Sequence, residues 1–346
     1  MKRIDLTKPR QGADGIERSW KDIEREFLSM FSVQIENELK EKNVSGYNVE
    51  IRNFHSDLLS KLDEILIGKP DTLEIWRNRW DNLLKKLTAG LDDIESERMD
   101  GEISSYKGEL MSAFGYEKNR GAMLNRIAVM INVKTCLYCN QQYTVVVGRK
   151  PRKDGGISLS GSRAFLQFDH FFEKSDYPFL SMSLYNLIPS CGVCNQKKSK
   201  TPYPLSIHPY VCDYSSKLTF RIKDQNALTN LNFMKFDFME VEIDTKDNND
   251  LAKLMQDLEM DRRYWRHLDI VKELETAKLL QPYYDKLIDG SFGKDMGEAI
   301  RNMDKTVVKR HLYGFYTDSN EINNRPLTKF CQDIYKQLSP EIPSKK

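Results

Sequence analysis

CLYC (136–139), FDHFF (168–172) and YNLIPSCGVCNQKK (185–198) are the stretches on which the fold of this chain turns. Two Cys-x-x-Cys turns frame an Asp-His pair, Asp169 and His170, and two asparagines, Asn186 and Asn195. Each turn lets two thiolates converge on one cation. Two of them complete a tetrahedral sulfur set that suits structural zinc and leaves no position open for catalysis. Cys136, Cys139, Cys191 and Cys194 are therefore the expected zinc ligands. The 51 residues between the pairs exceed what a compact zinc ribbon needs, so a folded unit is expected there with its two ends joined by the metal. A pair of unrelated redox turns is the competing reading, but no thioredoxin-like βαβ pattern surrounds them.

Outward from the cysteines, the middle of the chain reads as short strands. YTVVVGR (143–149) is β-branched and predicts a strand, and KPRKDGG (150–156) predicts a basic, turn-rich loop. RAFLQFDHFF (163–172) predicts the returning strand, with Asp169 and His170 at or near its end. NLIPSC (186–191) is a second extended segment, and NQKKSK (195–200) predicts the first turns of a helix ended by Pro202. Neighbouring strand residues face opposite ways. For Asp169 and His170 to serve one site, the strand is expected to end or twist there.

The flanks read as helix. Ile16, Trp20, Ile23, Phe27, Met30, Phe31 and Ile35 form an apolar stripe over 16–42. Further helices are predicted over 54–67, about 72–97 and about 119–133, with Trp76 and Trp80 as core residues. Two more strands are predicted at 216–222 and 236–245, then a long helix over 248–279 and helices near 293–315 and 326–338. The fold class is thus α+β: a helical region at 1–134, a small zinc-stapled unit at 135–222, and a mostly helical region at 223–346 that opens with a strand pair.

Asp169, His170 and Asn195 supply the parts that phosphodiester hydrolysis needs. A histidine titrating near neutrality takes a proton from water. A carboxylate and an amide oxygen hold one hard cation, Mg²⁺ or Mn²⁺, and leave room for a phosphate. With the cysteine frame, these residues resemble the HNH, or ββα-metal, endonucleases in their form with two Cys-x-x-Cys zinc pairs. The resemblance covers roughly 136–210. It implies that His170 is the general base, that Asp169 and Asn195 bind the catalytic Mg²⁺, and that Asn186 braces the connection between the strands and orients the base. It also implies products with 5′ phosphate and 3′ hydroxyl ends. Asn195 stands where many members carry histidine. Lys198, one turn later, is expected at a substrate phosphate, with Lys197 beside it. More weakly, MKRI (1–4) and PLSIHPYVCD (204–213) resemble the HNH subunits of Septu- and retron-type bacterial anti-phage systems, which implies an SMC- or ABC-type ATPase partner.

The chain's net charge of +2 points to no partner by itself. Residues 136–222, however, carry eleven Lys/Arg against five Asp/Glu, which puts positive potential where a nucleic acid backbone would lie. Arg149, Lys150, Arg152 and Lys153 are the candidate backbone contacts. His208 in IHPY reads as a packed loop histidine, with a place at the edge of the site as the alternative, and His55, His267 and His311 read as structural. Cys212 and Cys331 read as ordinary free thiols. MKRIDLTKPRQG has no apolar leader and no run of about 18 apolar residues occurs, so a cytoplasmic protein without membrane attachment is expected. Two alternatives stay open: the same nuclease acting on RNA such as tRNA, or a non-catalytic zinc module that binds nucleic acid or protein.

Overall fold

A two-residue hairpin, β1 (Arg10–Gln11) with β2 (Glu17–Arg18), leads into the first helix in the computed structural model, which describes residues 1–148, 163–223, 239–288 and 303–338. Arg149, Lys150, Arg152 and Lys153 lie outside the described residues, as do parts of the segments at 236–245 and 293–315.

α1 (Trp20–Lys40) starts at Ser19, which accepts from the amide of Asp22 while Asp22 reaches back to the Ser19 amide. Ile16 lies before this cap and is exposed. From there the stripe behaves as the spacing predicts: Ile23, Phe27, Phe31, Ile35 and Leu39 are wholly buried. α2 (Val49–Ser60) and α3 (Leu62–Leu66) follow, then α4 (Pro70–Thr88), whose first-turn proline needs no amide partner.

The helix expected over 72–97 is in fact two. Gly90, at φ +74°, turns the chain after Thr88, and α5 (Asp93–Phe114) begins at an Asp92 cap. Met99, Ile103, Tyr106, Leu110 and Phe114 of α5 are all buried. Gly115, at φ +61°, closes α5 and opens the single turn α6 (Tyr116–Asn119), followed by α7 (Ala122–Ile131).

The middle strands pair differently from the expectation. Among the described residues β3 (Val146–Val147) pairs with β4 (Arg163–Ala164) alone. After a break at 165–166, β5 (Gln167–His170) pairs antiparallel with β6 (Leu187–Ser190), setting Phe168 opposite Pro189, Asp169 opposite Ile188 and His170 opposite Leu187. A proline is tolerated in β6 because both strands of a two-stranded sheet are edges. α8 (Gly192–Lys198) follows at once, with Cys191 as its cap.

Next come α9 (Tyr214–Lys217) and the hairpin of β7 (Thr219–Ile222) with β8 (Val241–Asp244). The long helix expected over 248–279 is broken into α10 (Asn249–Asp257), α11 (Met260–Trp265) and α12 (Asp269–Leu279), with Glu259 in a left-handed conformation at the first break. α13 (Gln281–Ile288), α14 (Lys305–Tyr313) and α15 (Thr328–Gln337) complete the chain. α15 covers the open edge of β7: Asp333 accepts from the Phe220 amide, and Gln337 bonds both backbone groups of Ile222, each at 2.9 Å.

The architecture is α+β, mostly helical, with four two-stranded antiparallel sheets among the described residues. Buried apolar side chains from Met1 to Leu338 form one contiguous core to which all three expected regions contribute. The segments MKRI and PLSIHPYVCD lie together, joined by a Lys2–Asp213 ion pair of 2.9 Å and an Arg3 bond to the Val211 carbonyl. No helix among the described residues is long and apolar enough to cross a membrane.

Candidate metal centre and cleft

The four cysteines of the two Cys-x-x-Cys turns converge. Their sulfurs lie within 4.8 Å of one another, all buried and none in a disulfide. A tetrahedron with metal–sulfur bonds of about 2.3 Å has edges of about 3.8 Å. The Cys139–Cys191 separation is 3.8 Å, so the donor set fits a structural zinc ion. Backbone amides point at the sulfurs, from Gln141 to Cys139 at 3.4 Å and from Cys194 to Cys191 at 3.5 Å. The guanidinium of Arg263 approaches Cys194 Sγ at 3.3 Å, which offsets thiolate charge in a dry setting.

The first knuckle is also tied to the C-terminal region. Tyr264 donates to the Cys139 carbonyl. Asn140, buried at φ +53°, donates to the carbonyls of Ile322 and Arg325 and accepts from the amide of Lys329.

Beside β5 lies a cleft of about 550 Å³, lined by residues that include His170, Gln167, Asn195, Tyr116, Lys174 and Arg120. His170 is 6% exposed. Its Nε2 lies 2.9 Å from the Ser181 carbonyl oxygen. A carbonyl can only accept, so Nε2 carries the proton and Nδ1 of the neutral ring keeps its lone pair. Burial pulls the imidazole pKa down to about 3, not near neutrality as expected from the sequence, so the ring is neutral at physiological pH but a weaker base than an exposed histidine. The Tyr116 ring meets it edge-on, with 4.4 Å between centroids.

Asp169 and His170 diverge. Strand pairing is regular through both and stops at His170, so alternation sends the carboxylate to the α8 side. The carboxylate is 2% exposed, outside the cleft lining. Its Oδ2 accepts from Tyr138 at 2.6 Å and pairs with Lys198 Nζ at 3.3 Å. Burial outweighs these two partners and raises its pKa. Two residues back on the same face, Gln167 Oε1 accepts from Asn195 Nδ2 at 2.7 Å. Gln167 and Asp169 thus meet Asn195 and Lys198, one turn apart on α8.

Asn186 is wholly buried and braces the 171–186 connection. It accepts from the Phe172 amide at 2.7 Å and donates to the carbonyls of Phe172 and Leu180 at 3.0 and 2.9 Å. Lys198 does not stand at an open phosphate position. Its ammonium is buried and also donates to the His170 carbonyl. Lys197 pairs with Glu259 on the surface at 2.8 Å. His208 packs away from the cleft against Phe171, with its Nδ1 accepting from the Tyr210 amide. His55 is held between Tyr106 and the Leu39 carbonyl. Cys212 and Cys331 are buried free thiols.

Sequence reasoning passed over Tyr138, Ser181, Gln167 and Tyr116. Only Tyr138, inside CLYC, and Gln167, two residues before Asp169, carried a local signal. Ser181 and Tyr116 reach His170 by tertiary packing. No protein-family model matches this chain, and no curated protein or solved structure is significantly similar to it.

Proposed function

We propose that the chain is a metal-dependent endonuclease of the HNH, ββα-metal kind that hydrolyses phosphodiester bonds in DNA. The observation that carries this reading is the arrangement at the cleft. His170 has an Nδ1 lone pair with no hydrogen-bond partner among the described residues and a fixed tautomer, and it shares the cavity with Asn195 across a β5–β6–α8 unit braced by Asn186.

In this reading His170 accepts the proton of the attacking water. The Ser181 carbonyl holds the ring in place and stabilises the imidazolium once it forms. Asn186 fixes the connection from which Ser181 presents that carbonyl. Asn195, in the cleft lining, would offer Mg²⁺ its amide oxygen, and Asp169, buried against Tyr138 and Lys198 outside that lining, would reach the ion only by exchanging those partners. When bound, the ion supplies charge neutralisation at the phosphate and the departing 3′ oxygen. Lys198 favours the ionised form of Asp169 against the larger opposing effect of burial.

The likeness of MKRI and PLSIHPYVCD to anti-phage HNH subunits adds an ATPase partner to the proposal. Co-purification with the product of a neighbouring gene tests that part.

Magnesium-dependent plasmid nicking tests the core of the reading. His170→Ala is expected to abolish cleavage with zinc content and circular dichroism unchanged, and normal nicking by that variant removes the mechanism. Parallel digestion of duplex DNA, single strands and tRNA decides between DNA and RNA.

A further inference from the structure

Two cations line the cleft mouth and share one carboxylate. Lys174, in the connection after β5, and Arg120, just past α6, both line the cavity that holds His170. Glu117 on α6 bridges them. Its Oε1 pairs closely with Lys174 Nζ, and its Oε2 lies 3.1 Å from Arg120 Nη1. Lys174 also sits over the Tyr116 ring at 4.8 Å, and that ring abuts the His170 imidazole. The pair is therefore built into the wall beside the base.

A carboxylate that gives one oxygen to each of two cations imitates the two non-bridging oxygens of a phosphodiester. The Glu117 side chain is 59% exposed. Its ion pairs are the weak, screened kind, and it can swing into water without leaving a buried charge behind. Among the described residues the one carboxylate that itself lines the cleft, Glu173, is engaged locally by the Ser175 amide at 3.4 Å.

We propose that Lys174 and Arg120 form a binding site for a backbone phosphate flanking the scissile one, and that Glu117 is a resident anion which the nucleic acid displaces. This rests on the nuclease reading above. It adds a substrate contact from the helical N-terminal region and a brake on binding.

The test is titration of a labelled 20-base-pair duplex and the matching single strand into the full chain. Ca²⁺ replaces Mg²⁺ so that cleavage is suppressed without a chelator that would strip zinc. Glu117→Gln is expected to tighten binding about three- to tenfold near 0.1 M salt and to steepen the salt dependence, because each freed cation adds about 0.9 to the slope of log K against log salt. Lys174→Gln and Arg120→Gln are expected to weaken binding and flatten that slope.

Equal or weaker binding by Glu117→Gln overturns the proposal, as does wild-type behaviour of both cation variants. If the wild type cleaves while these variants bind unchanged, this site falls and the nuclease reading stands. If the wild type neither binds nor cleaves, both fall. Tightening for inorganic phosphate alone, with none for either oligonucleotide, also overturns it.

Discussion

Lys198 and Asp169 form an ion pair 3.3 Å long in which neither side chain is more than 3% exposed. Removing one partner of such a pair strands a charge in a dry place. Lys198→Met is therefore expected to cost about 3 kcal/mol of stability, and the double variant with Asp169→Leu less than the two single changes together. Urea unfolding of the double-mutant cycle measures this. Additive losses would mean that the two side chains are energetically independent.

Zinc removal is expected to unfold more than the knuckles. Cys136 and Cys139 lie in the segment whose Asn140 bonds to residues 322, 325 and 329. Chelation or Cys191→Ser should release one zinc per chain, lower the melting temperature sharply, and expose the amides of α15 to hydrogen exchange. Structural zinc sites contribute folding free energy directly. Full protection of α15 in the metal-free protein would contradict this coupling.

Asn186→Ala removes three buried hydrogen bonds and leaves the Phe172 amide without its acceptor. A loss of about 2–4 kcal/mol is expected, with faster exchange at Phe172 as the local signature. Asn186→Asp keeps the acceptor for that amide but loses both donors, so Phe172 should stay the better protected of the two variants.

Acid sensitivity has an assignable contributor in His208, whose pKa burial lowers from 6.5 to about 3. Above pH 6.5 the folded and unfolded chains both hold a neutral ring. Below it the unfolded chain takes up a proton that the folded chain refuses until about pH 3, so stability falls as pH drops through that window. His208→Phe removes the titration and should flatten the decline by at most about 1.4 kcal/mol per pH unit. The measurement is unfolding free energy at several pH values between 6.5 and 4, and an unchanged slope would assign the sensitivity elsewhere.

Helical stripes were legible where apolar residues recur at spacings of three and four, as from Ile23 to Leu39 in α1. α5 carries the same signal in Met99, Ile103, Tyr106, Leu110 and Phe114, but Gly101 and Gly108 interrupt it and the charged first turn hides its start. The break between α4 and α5 lay in Gly90, and that between α10 and α11 in the left-handed Glu259, which no propensity marks. The cysteine frame was fully legible because metal chemistry fixes its spacing. The strand partner of Asp169 and His170 was not. Pairing is a contact between distant segments, and YTVVVGR has the stronger strand composition, yet NLIPSC, with a proline in it, is the true neighbour. Alternation along a strand was legible and sends Asp169 and His170 apart; where an end or twist was expected to bring them to one site, the hairpin stays regular through both and stops at His170.

Asn140, Arg263 and Tyr264 carry a practical consequence for anyone transplanting this motif. Residues 135–198 moved into another scaffold would arrive without the guanidinium beside Cys194, the phenol on the Cys139 carbonyl and the 322–329 loop that receives the Asn140 amide. The smallest portable unit is therefore discontinuous in sequence, and a graft must import pieces of the far end of the chain along with the cysteines.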